Sequence, residues 1–354
     1  MLALNIFLLI VGFLLLVQGA DWFVEGGSKI AKLCKISPLV IGLTIVAFGT
    51  SMPELAVSIT SAIEGSTDIS IGNVVGSNIV NILLILGLSS LFHLLPVQRE
   101  SLKLDLPVLL LASALLVGLG RWGNAVEWWD GLILLVIFAA YMSVLLVQAR
   151  KKQKAEMCSL SSSESSLSSE LPSSGQSVEN LEKSNDETTS EKKKSAYKVW
   201  FEKMEEKKWF LVVLLLVGLA MVIGGGKLLV DSATKIAEYF KVSERIIGLT
   251  VVAIGTSLPE LVTSVVAAIK GETDIAVGNI IGSNIFNIFV VAGAASLFYP
   301  LTFTFGNMID ALVALGCAVL LFVCSLFNKH RLGKLSGIVM LLCFAGYYTY
   351  LFIS

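Results

Sequence analysis

The feature that most constrains the fold of this 354-residue chain is a long internal repeat. A segment that begins at Ile41 recurs without a gap at Ile247, and about 31 of 52 aligned positions carry the same residue. The identities include Gly, Pro, Glu, Asn and Ser in register, which shared hydrophobicity alone does not produce. The chain therefore contains an internal duplication, and the fold must give both copies equivalent environments.

The composition places both copies in a lipid bilayer. Hydrophobic residues make up 55% of the sequence, charged residues 15%, and the mean hydropathy is +0.82. A soluble domain of this size cannot bury so much apolar surface. A spanning helix needs about 20 mostly apolar residues. Ten candidates run approximately from 3 to 22, 39 to 63, 69 to 94, 104 to 120, 129 to 148, 209 to 229, 245 to 269, 275 to 298, 307 to 327 and 333 to 352.

The predicted fold class is therefore an all-α polytopic membrane protein with ten transmembrane helices, five in each half. A polar segment at 150–208, rich in Ser, Glu and Lys, separates the halves. It cannot bury enough apolar surface to fold, so we predict a disordered linker. The predicted domains are a first transmembrane repeat at 1–149, this linker, and a second transmembrane repeat at 209–354.

An odd number of helices separates each helix from its copy, so the two copies cross the membrane in opposite directions. Inverted-topology repeats are typical of secondary transporters, whose substrate sites lie near the bilayer midplane where the repeats meet. Channels usually surround a pore with parallel subunits or repeats. The duplication therefore favours a transporter over a channel.

Basic residues near the helix ends predict the orientation, because cytoplasmic loops are enriched in Lys and Arg. The basic loops follow helices one, three, five and nine, and they contain Lys29, Lys32, Lys35, Arg99, Lys103, Arg150, Lys151, Lys152, Lys154, Lys329, Arg331 and Lys334. The opposite loops have few basic residues or mix them with acidic ones. We predict a multi-pass protein of the cell membrane with a cytoplasmic linker and both termini outside.

Each copy carries a glutamate deep within an apolar span, Glu54 in GTSMPE and Glu260 in GTSLPE. A charge at mid-membrane costs on the order of 3 kcal/mol on insertion scales, so such residues usually face a partner or a cavity. A structural carboxylate bonded to a neighbouring helix is the alternative. Two symmetry-related glutamates with identical surroundings favour a functional site.

Helix-breaking residues precede both glutamates. Pro53 and Pro259 lack the N–H that would bond the carbonyl one turn back, so the helices are expected to bend and to turn carbonyls toward a ligand. Thr50 and Thr256 lie four residues before the glutamates, on the same helix face. A packing kink is the simpler explanation of the prolines alone, but the adjacent oxygen-bearing side chains favour an ion site.

A second motif, GNxxGSNxxN, occurs once in each copy. Ser77 and Asn81 lie four residues apart, as do Ser283 and Asn287, so each pair shares a helix face. With the two carboxylates they supply the oxygen ligands, about six to eight, that calcium prefers. Interhelical hydrogen bonding is the alternative. It is at least as good an explanation for the other asparagines of the motif, which are Asn73, Asn78, Asn279 and Asn284.

At these residues the sequence resembles the calcium/cation antiporter superfamily, and specifically its prokaryotic sodium/calcium exchangers. GTSMPE with GSNIVN, and GTSLPE with GSNIFN, match the paired repeat motifs of that family. The predicted helix layout extends the resemblance over essentially the whole chain. The resemblance implies a secondary active antiporter that exchanges calcium for sodium by alternating access. It implies no enzyme activity and no cofactor, since calcium and sodium are the transported ions.

The resemblance also implies a set of ion ligands. Glu54 and Glu260 would share the calcium, with help from the carbonyls of Thr50 and Thr256. The implied sodium sites flank the centre in two repeat-related sets, Ala47, Thr50, Ser77 and Glu54 on one side and Ala253, Thr256, Ser283 and Glu260 on the other. The residues that would line the path and bound the centre are Ser51, Ser257, Asn81 and Asn287.

Two features depart from relatives in this superfamily. Asn287 stands where some members, notably the potassium-dependent exchangers, carry Asp, so potassium coupling is not expected. The linker is too short and too polar to hold the folded calcium-sensing domains of animal exchangers. We therefore expect no regulation of that kind.

The sequence is also compared with the requirements of three other functions: calcium/proton exchange, a cation channel and a hydrolase. Calcium/proton exchange stays open because two buried glutamates could equally carry protons. A cation channel is less favoured, and the absence of HExxH and GxSxG motifs argues against a hydrolase. The 26 Lys and Arg do not gather into a basic face, so we expect no nucleic-acid partner. The expected partners are the lipid bilayer and the ions, and no obligate protein partner is evident.

Overall fold

A computed structural model describes residues 2–34, 36–167, 208–240, 253–327 and 329–353, and these residues are mostly helical. The first half contains α1 (Leu2–Cys34), α2 (Pro38–Ile41), α3 (Ala47–Thr50), α4 (Met52–Ile63), α5 (Thr67–Ile79), α6 (Gly87–Phe92), α7 (Arg99–Lys103), α8 (Asp105–Gly123) and α9 (Trp128–Leu167). The second half contains α10 (Lys208–Tyr239), α11 (Ala253–Thr256), α12 (Leu258–Ile269), α13 (Thr273–Phe286), α14 (Gly293–Ser296), α15 (Phe305–Leu326) and α16 (Lys334–Ile353). Wider π-helical turns occur at Gly42–Val46, Val80–Leu86 and Asn287–Ala292.

Within the described residues, eight helical segments are long and apolar enough to cross a bilayer. A bent pair, Pro38–Thr50 with Met52–Ile63, adds a ninth, and its two halves meet at 45°. The prediction of a helical, multi-pass membrane protein is confirmed. The count of ten stays a prediction, because the predicted span at 245 to 269 is described only from Ala253 onward.

The predicted helix breaks occur at the same place in both copies. Ser51 separates α3 from α4 with φ −86° and ψ 8°, and Ser257 separates α11 from α12 with φ −87° and ψ 5°. Pro53 and Pro259 lie in the first turn of the following helix, where the missing N–H costs no helical hydrogen bond. The duplicated Ser-x-Pro sequence therefore starts a new helix in both copies.

The first helix and its copy, α1 and α10, run antiparallel against each other. A Cβ added at Gly12 would lie 2.9 Å from the carbonyl oxygen of Gly225, and one added at Gly19 would lie 2.8 Å from that of Gly218. Small residues allow such close approach of helix backbones in membranes. As the residue number rises along α1, the number of the contacting residue in α10 falls. The two copies therefore run in opposite directions, as an inverted repeat requires.

Two short antiparallel ladders join loops of one repeat to loops of the other. β1 (Leu95–Pro96) pairs with β4 (Arg331–Leu332), and β2 (Ala125–Val126) pairs with β3 (Leu301–Thr302). β3 is the copy of β1 and β4 the copy of β2, so the inverted symmetry relates one ladder to the other. Since α8 runs from β1 to β2, the ladders connect the repeats at opposite ends of the helix bundle.

Burial places the GNxxGSNxxN helices at the centre of the bundle. In the most apolar stretch of the span Thr273–Ser296, 94% of the residues are buried. In the most apolar stretch of the span Thr67–Phe92, 78% of the residues are buried. The corresponding share for Leu2–Cys34 is 17%. The motif helices α5 and α13 are therefore enclosed by protein, and α1 turns most of its surface toward lipid.

The predicted linker begins within a helix. α9 continues past the predicted boundary at 149 and ends at Leu167. Residues 168–207, which make up most of the predicted linker, lie outside the described residues. The domain limits 1–149, 150–208 and 209–354 stay a prediction.

Candidate functional site

The two glutamates lie in the first turns of the helices that follow the breaks, Glu54 in α4 and Glu260 in α12. Both side chains are completely buried. The first turn of a helix exposes unpaired N–H groups and favours negative charge. Breaking each span at its serine therefore creates a helix N-terminus inside the membrane, and that terminus stabilises a carboxylate there.

Each glutamate is hydrogen-bonded by a serine of the opposite repeat. Ser51 Oγ donates to Glu260 Oε1 at 2.7 Å, and Ser257 Oγ lies 3.3 Å from Glu54 Oε1. Both serines are buried. These are repeat-related contacts, so the break residue of one copy reaches the carboxylate of the other and the two half-sites interlock.

The serines of the second motif lie in the same cluster. Ser77 Oγ is 3.2 Å from Ser257 Oγ, and Ser283 Oγ is 3.5 Å from Glu260 Oε1. Ser77 and Ser283 are both buried. The structure therefore brings the GTSxPE and GNxxGSNxxN motifs together at one place, as the sequence predicts.

Several buried polar atoms of this cluster have no hydrogen-bond partner among the described residues. They include one carboxylate oxygen of each glutamate, Oε2 of Glu54 and Oε2 of Glu260, and the amide oxygens of Asn81 and Asn287. Buried polar atoms are normally hydrogen-bonded. Unpaired oxygen acceptors are the ligands that a hard cation takes, so these atoms fit a cation site.

The charges of the site also fit a cation. No Lys or Arg in the described part of the chain forms an ion pair with Glu54 or Glu260. Burying an unpaired ionised carboxylate is costly, so a compensating positive charge is expected at the same place. One divalent ion, two monovalent ions or two protons would each balance two carboxylates.

The remaining predicted ligands lie on, or directly after, the helices that carry this cluster. Ala47 and Thr50 are buried at the two ends of α3, and Thr256 is half-buried at the end of α11. Asn81 and Asn287 are both completely buried. Ala253 is the first residue of α11, and its backbone has the position in the second copy that Ala47 has in the first.

The Asn78 side chain forms interhelical hydrogen bonds, the alternative to ion binding that the sequence leaves open, whereas the Asn284 side chain bonds within its own helix. Asn78 Nδ2 donates to the backbone carbonyl of Asn284 at 3.4 Å, and Asn78 Oδ1 accepts from Asn287 Nδ2 at 3.2 Å. Asn284 Nδ2 donates within its own helix to the carbonyl of Ile280 at 2.6 Å. These bonds join α5 to α13 and orient the Asn287 amide.

Two functional candidates were missed from the sequence. Ser58 and Ser264 are completely buried one turn after Glu54 and Glu260, and each accepts a hydrogen bond from a motif asparagine, Asn73 or Asn279. The signal was present, since an identical serine stands four residues after the glutamate in both copies. It was overlooked because serine is also common as a small packing residue in membrane helices.

Inverted repeats with a buried carboxylate at each paired helix break define a secondary transporter for cations. The family described as "Sodium/calcium exchanger protein" matches residues 4–147 and 210–353, which cover both repeats. The chain belongs to this family of membrane antiporters and is a transporter, not an enzyme.

Relatives match over most or all of the chain. The inner membrane protein YrbG of Escherichia coli (strain K12) is 37% identical over 295 residues, which are 83% of this chain and 79% of that protein. The sodium/calcium exchanger MaX1 of Methanosarcina acetivorans is 32% identical over 359 residues, 99% of each chain. A solved structure of the sodium-calcium exchanger NCX_Mj superimposes with a TM-score of 0.77 at 30% identity and covers 99% of both chains.

Proposed function

We propose that this protein exchanges calcium for sodium across the cell membrane by alternating access. The observation that carries the proposal is the pair of buried carboxylates, Glu54 and Glu260, which no described basic residue neutralises and which each keep one unpaired oxygen. Two negative charges balance one calcium ion. They also balance the sodium ions that replace it, so the same centre serves both half-cycles.

The chemistry of the donors supports calcium as the divalent ion. The candidate ligands are carboxylate, amide, hydroxyl and carbonyl oxygens, which suit hard cations, whereas soft ions prefer thiolate or imidazole ligands. In the proposed site, Glu54 and Glu260 hold the calcium with the carbonyls of Thr50 and Thr256. Asn81 and Asn287 bound the centre, and Ser51 and Ser257 line the path.

Sodium is preferred to protons as the coupling ion because of the neutral oxygens beside each carboxylate. A proton needs only the carboxylate itself, whereas sodium needs several further oxygen ligands. The proposed sodium ligands are Ala47, Thr50, Ser77 and Glu54 in one set and Ala253, Thr256, Ser283 and Glu260 in the other. The name of the relative MaX1 is in line with this choice.

The proposed orientation follows from the basic loops. The linker and the loops rich in Lys and Arg lie in the cytoplasm, and both termini lie outside. Protease digestion of intact cells, with epitope tags at either terminus or in the linker, tests this orientation. Cleavage of the linker tag from outside would reverse it.

Calcium uptake into vesicles that contain the purified protein tests the function. We expect uptake to depend on an outward sodium gradient and to be unchanged by a pH gradient of either direction. The Glu54→Gln/Glu260→Gln double variant is the control for leak. Uptake driven only by the pH gradient would show that protons, and not sodium, are the coupling ion. Calcium entry without either gradient would identify a channel.

A further inference from the structure

Asn73 in α5 and Asn279 in α13 are repeat-related residues that contact the threonine of the opposite repeat. Thr50 Oγ1 lies 3.2 Å from Asn279 Oδ1, and Thr256 Oγ1 lies 3.4 Å from Asn73 Oδ1. Both distances join a hydroxyl donor to an amide oxygen acceptor. The same cross-repeat bond is therefore built twice, once in each half-site.

The amide nitrogen of each asparagine holds the glutamate helix of its own repeat. Asn279 Nδ2 donates to Ser264 Oγ at 2.8 Å, and Asn73 Nδ2 donates to Ser58 Oγ at 2.9 Å. Asn73 Nδ2 also lies 3.1 Å from the backbone carbonyl of Glu54. A carbonyl can only accept, so the nitrogen of Asn73 must face α4, and its oxygen faces Thr256.

The Thr50 hydroxyl has three acceptors within reach. Its Oγ1 lies 3.1 Å from the Val46 carbonyl oxygen, 3.4 Å from that of Ala47 and 3.2 Å from Asn279 Oδ1. A hydroxyl has one proton, so it can donate to only one of these three acceptors at a time. Within a helix, threonine usually donates to a carbonyl three or four residues back, so Asn279 competes with the backbone for this proton.

The competition bears on the proposed sodium ligands, among which are the oxygens of Ala47 and Thr50. Of the two backbone acceptors, the Val46 carbonyl is the nearer and is not a proposed ligand, whereas a hydroxyl proton directed at the Ala47 carbonyl would occupy a lone pair that a cation needs. A proton directed at Asn279 leaves that carbonyl free. It also presents the lone pairs of Thr50 Oγ1 to the site.

We propose that Asn73 and Asn279 are positioning residues for the flanking cation sites: each accepts the hydroxyl proton of the opposite repeat's threonine and thereby turns that hydroxyl oxygen toward sodium, and Asn279 also keeps the Thr50 proton off the Ala47 carbonyl. The inference rests on the proposed function and adds two residues to it. It assigns them an effect on sodium and not on calcium, because the Ala47 carbonyl is in the sodium set only.

The test measures the half-saturating concentrations of sodium and calcium for exchange in vesicles. Asn279→Leu removes the acceptor while keeping a similar volume. A lost hydrogen bond is worth about 0.5–1.5 kcal/mol, so the half-saturating sodium concentration is expected to rise about two- to tenfold. The half-saturating calcium concentration, measured without sodium on the same side, should change less than about twofold.

A double-mutant cycle with Thr50→Val separates positioning from simple structural damage. Without the hydroxyl there is no proton to redirect, so Asn279→Leu should add less than about a twofold change in the Thr50→Val background. The inference would be overturned if the two substitutions had fully additive effects on the half-saturating sodium concentration. It would also be overturned if the half-saturating concentrations of sodium and calcium rose together. An Asn279→Leu protein with unchanged sodium dependence would overturn it as well.

Further variants keep the test decisive. Asn284→Leu is the matched control, since Asn284 is equally buried in the same helix and its amide bonds only to its own backbone. The half-saturating sodium concentration of this variant should stay within about twofold of the wild-type value. If Asn279→Leu does not fold, Asn73→Leu with Thr256→Val gives the same cycle in the other repeat. Wild-type vesicles without sodium-driven exchange would instead refute the proposed function itself.

Discussion

Asp21 and Lys270 form an ion pair, with 2.7 Å between Oδ1 and Nζ, that joins α1 of the first repeat to the end of α12 in the second. The repeat-related positions carry the opposite charges, Lys227 for Asp21 and Glu64 for Lys270. Neither Glu64 nor Lys227 has an ion-pair partner within the described part of the chain. The symmetry of the sequence is therefore broken in this conformation, with the pair formed at one end only.

Charge changes at this pair should shift the balance between conformations. Inverted repeats exchange their roles when access alternates, so the conformation described here is expected to lose stability when Lys270→Ala breaks the pair. A partly exposed ion pair is worth about 0.2–1 kcal/mol, which corresponds to a shift of up to about fivefold. Apparent calcium affinity should then rise at one membrane face and fall at the other.

The control for that experiment is the charge-swapped variant Asp21→Lys/Lys270→Asp in a Glu25→Gln background, because Lys270 Nζ also lies 3.7 Å from Glu25 Oε2 and an aspartate there would be repelled by it. It should return the affinities at both faces toward wild type. Equal changes at both faces in Lys270→Ala would show that the pair does not distinguish the conformations.

Removing either central carboxylate should abolish exchange. Glu54→Gln and Glu260→Gln keep the shape of the side chain and remove its charge, and two unit charges about 4 Å apart interact by about 4 kcal/mol at an effective dielectric constant of about 20. With part of this offset by changed solvation, we expect exchange to fall at least about 100-fold. Sodium-driven calcium uptake is the measurement.

Glu127→Gln serves as the matched control for the carboxylates, because it removes a carboxylate from the loop between β2 and α9, away from the site. Its uptake should equal that of the wild type. Normal calcium dependence in either central variant would remove that glutamate from the proposed site.

Asn287 should determine which ions accompany calcium. Its amide is held by Asn78 at 3.2 Å and its oxygen is unpaired, so it adds a neutral ligand beside two carboxylates. Wild-type exchange should be indifferent to potassium. Asn287→Asp adds a third negative charge, which an extra proton or potassium ion would balance, so exchange should become more sensitive to acid and responsive to potassium.

Uptake measured with potassium present or replaced by choline, over a series of pH values, checks both halves of this prediction. Asn284→Asp is the comparison, since it adds a charge at an equally buried asparagine three residues before Asn287 whose amide nitrogen bonds to the Ile280 carbonyl. A strong potassium requirement in the wild-type protein would contradict the role given to Asn287.

The linker should be dispensable for transport. Replacing residues 168–191 by a shorter Gly and Ser spacer is expected to preserve sodium-driven uptake, since the sequence there has neither an apolar core nor buried ligands. Uptake per amount of inserted protein is the measurement. Loss of uptake at normal insertion would identify a regulatory element in this segment.

The duplicated helix break and the buried carboxylate beside it can both be predicted from the sequence alone. Both follow from local chemistry, because a proline lacks the N–H that a helix interior needs and so kinks or interrupts a helix, and a glutamate within an apolar span must be buried if the span is in the membrane. The opposite directions of the copies followed from counting helices. These features need no knowledge of which helices are neighbours.

The hydrogen-bond partners of these residues depend on the tertiary structure. Ser51 is three residues from Glu54 in the chain, yet it bonds Glu260, and Thr50 lies beside Asn279 and not beside the Asn73 of its own repeat. The two-residue ladders were likewise absent from the predictions, since strands so short have no periodic pattern. Because the two repeats carry the same motifs, the sequence offers each acceptor the same donor from its own repeat and from the opposite repeat. The packing of the inverted repeats across their interface decides which of the two donors forms the bond.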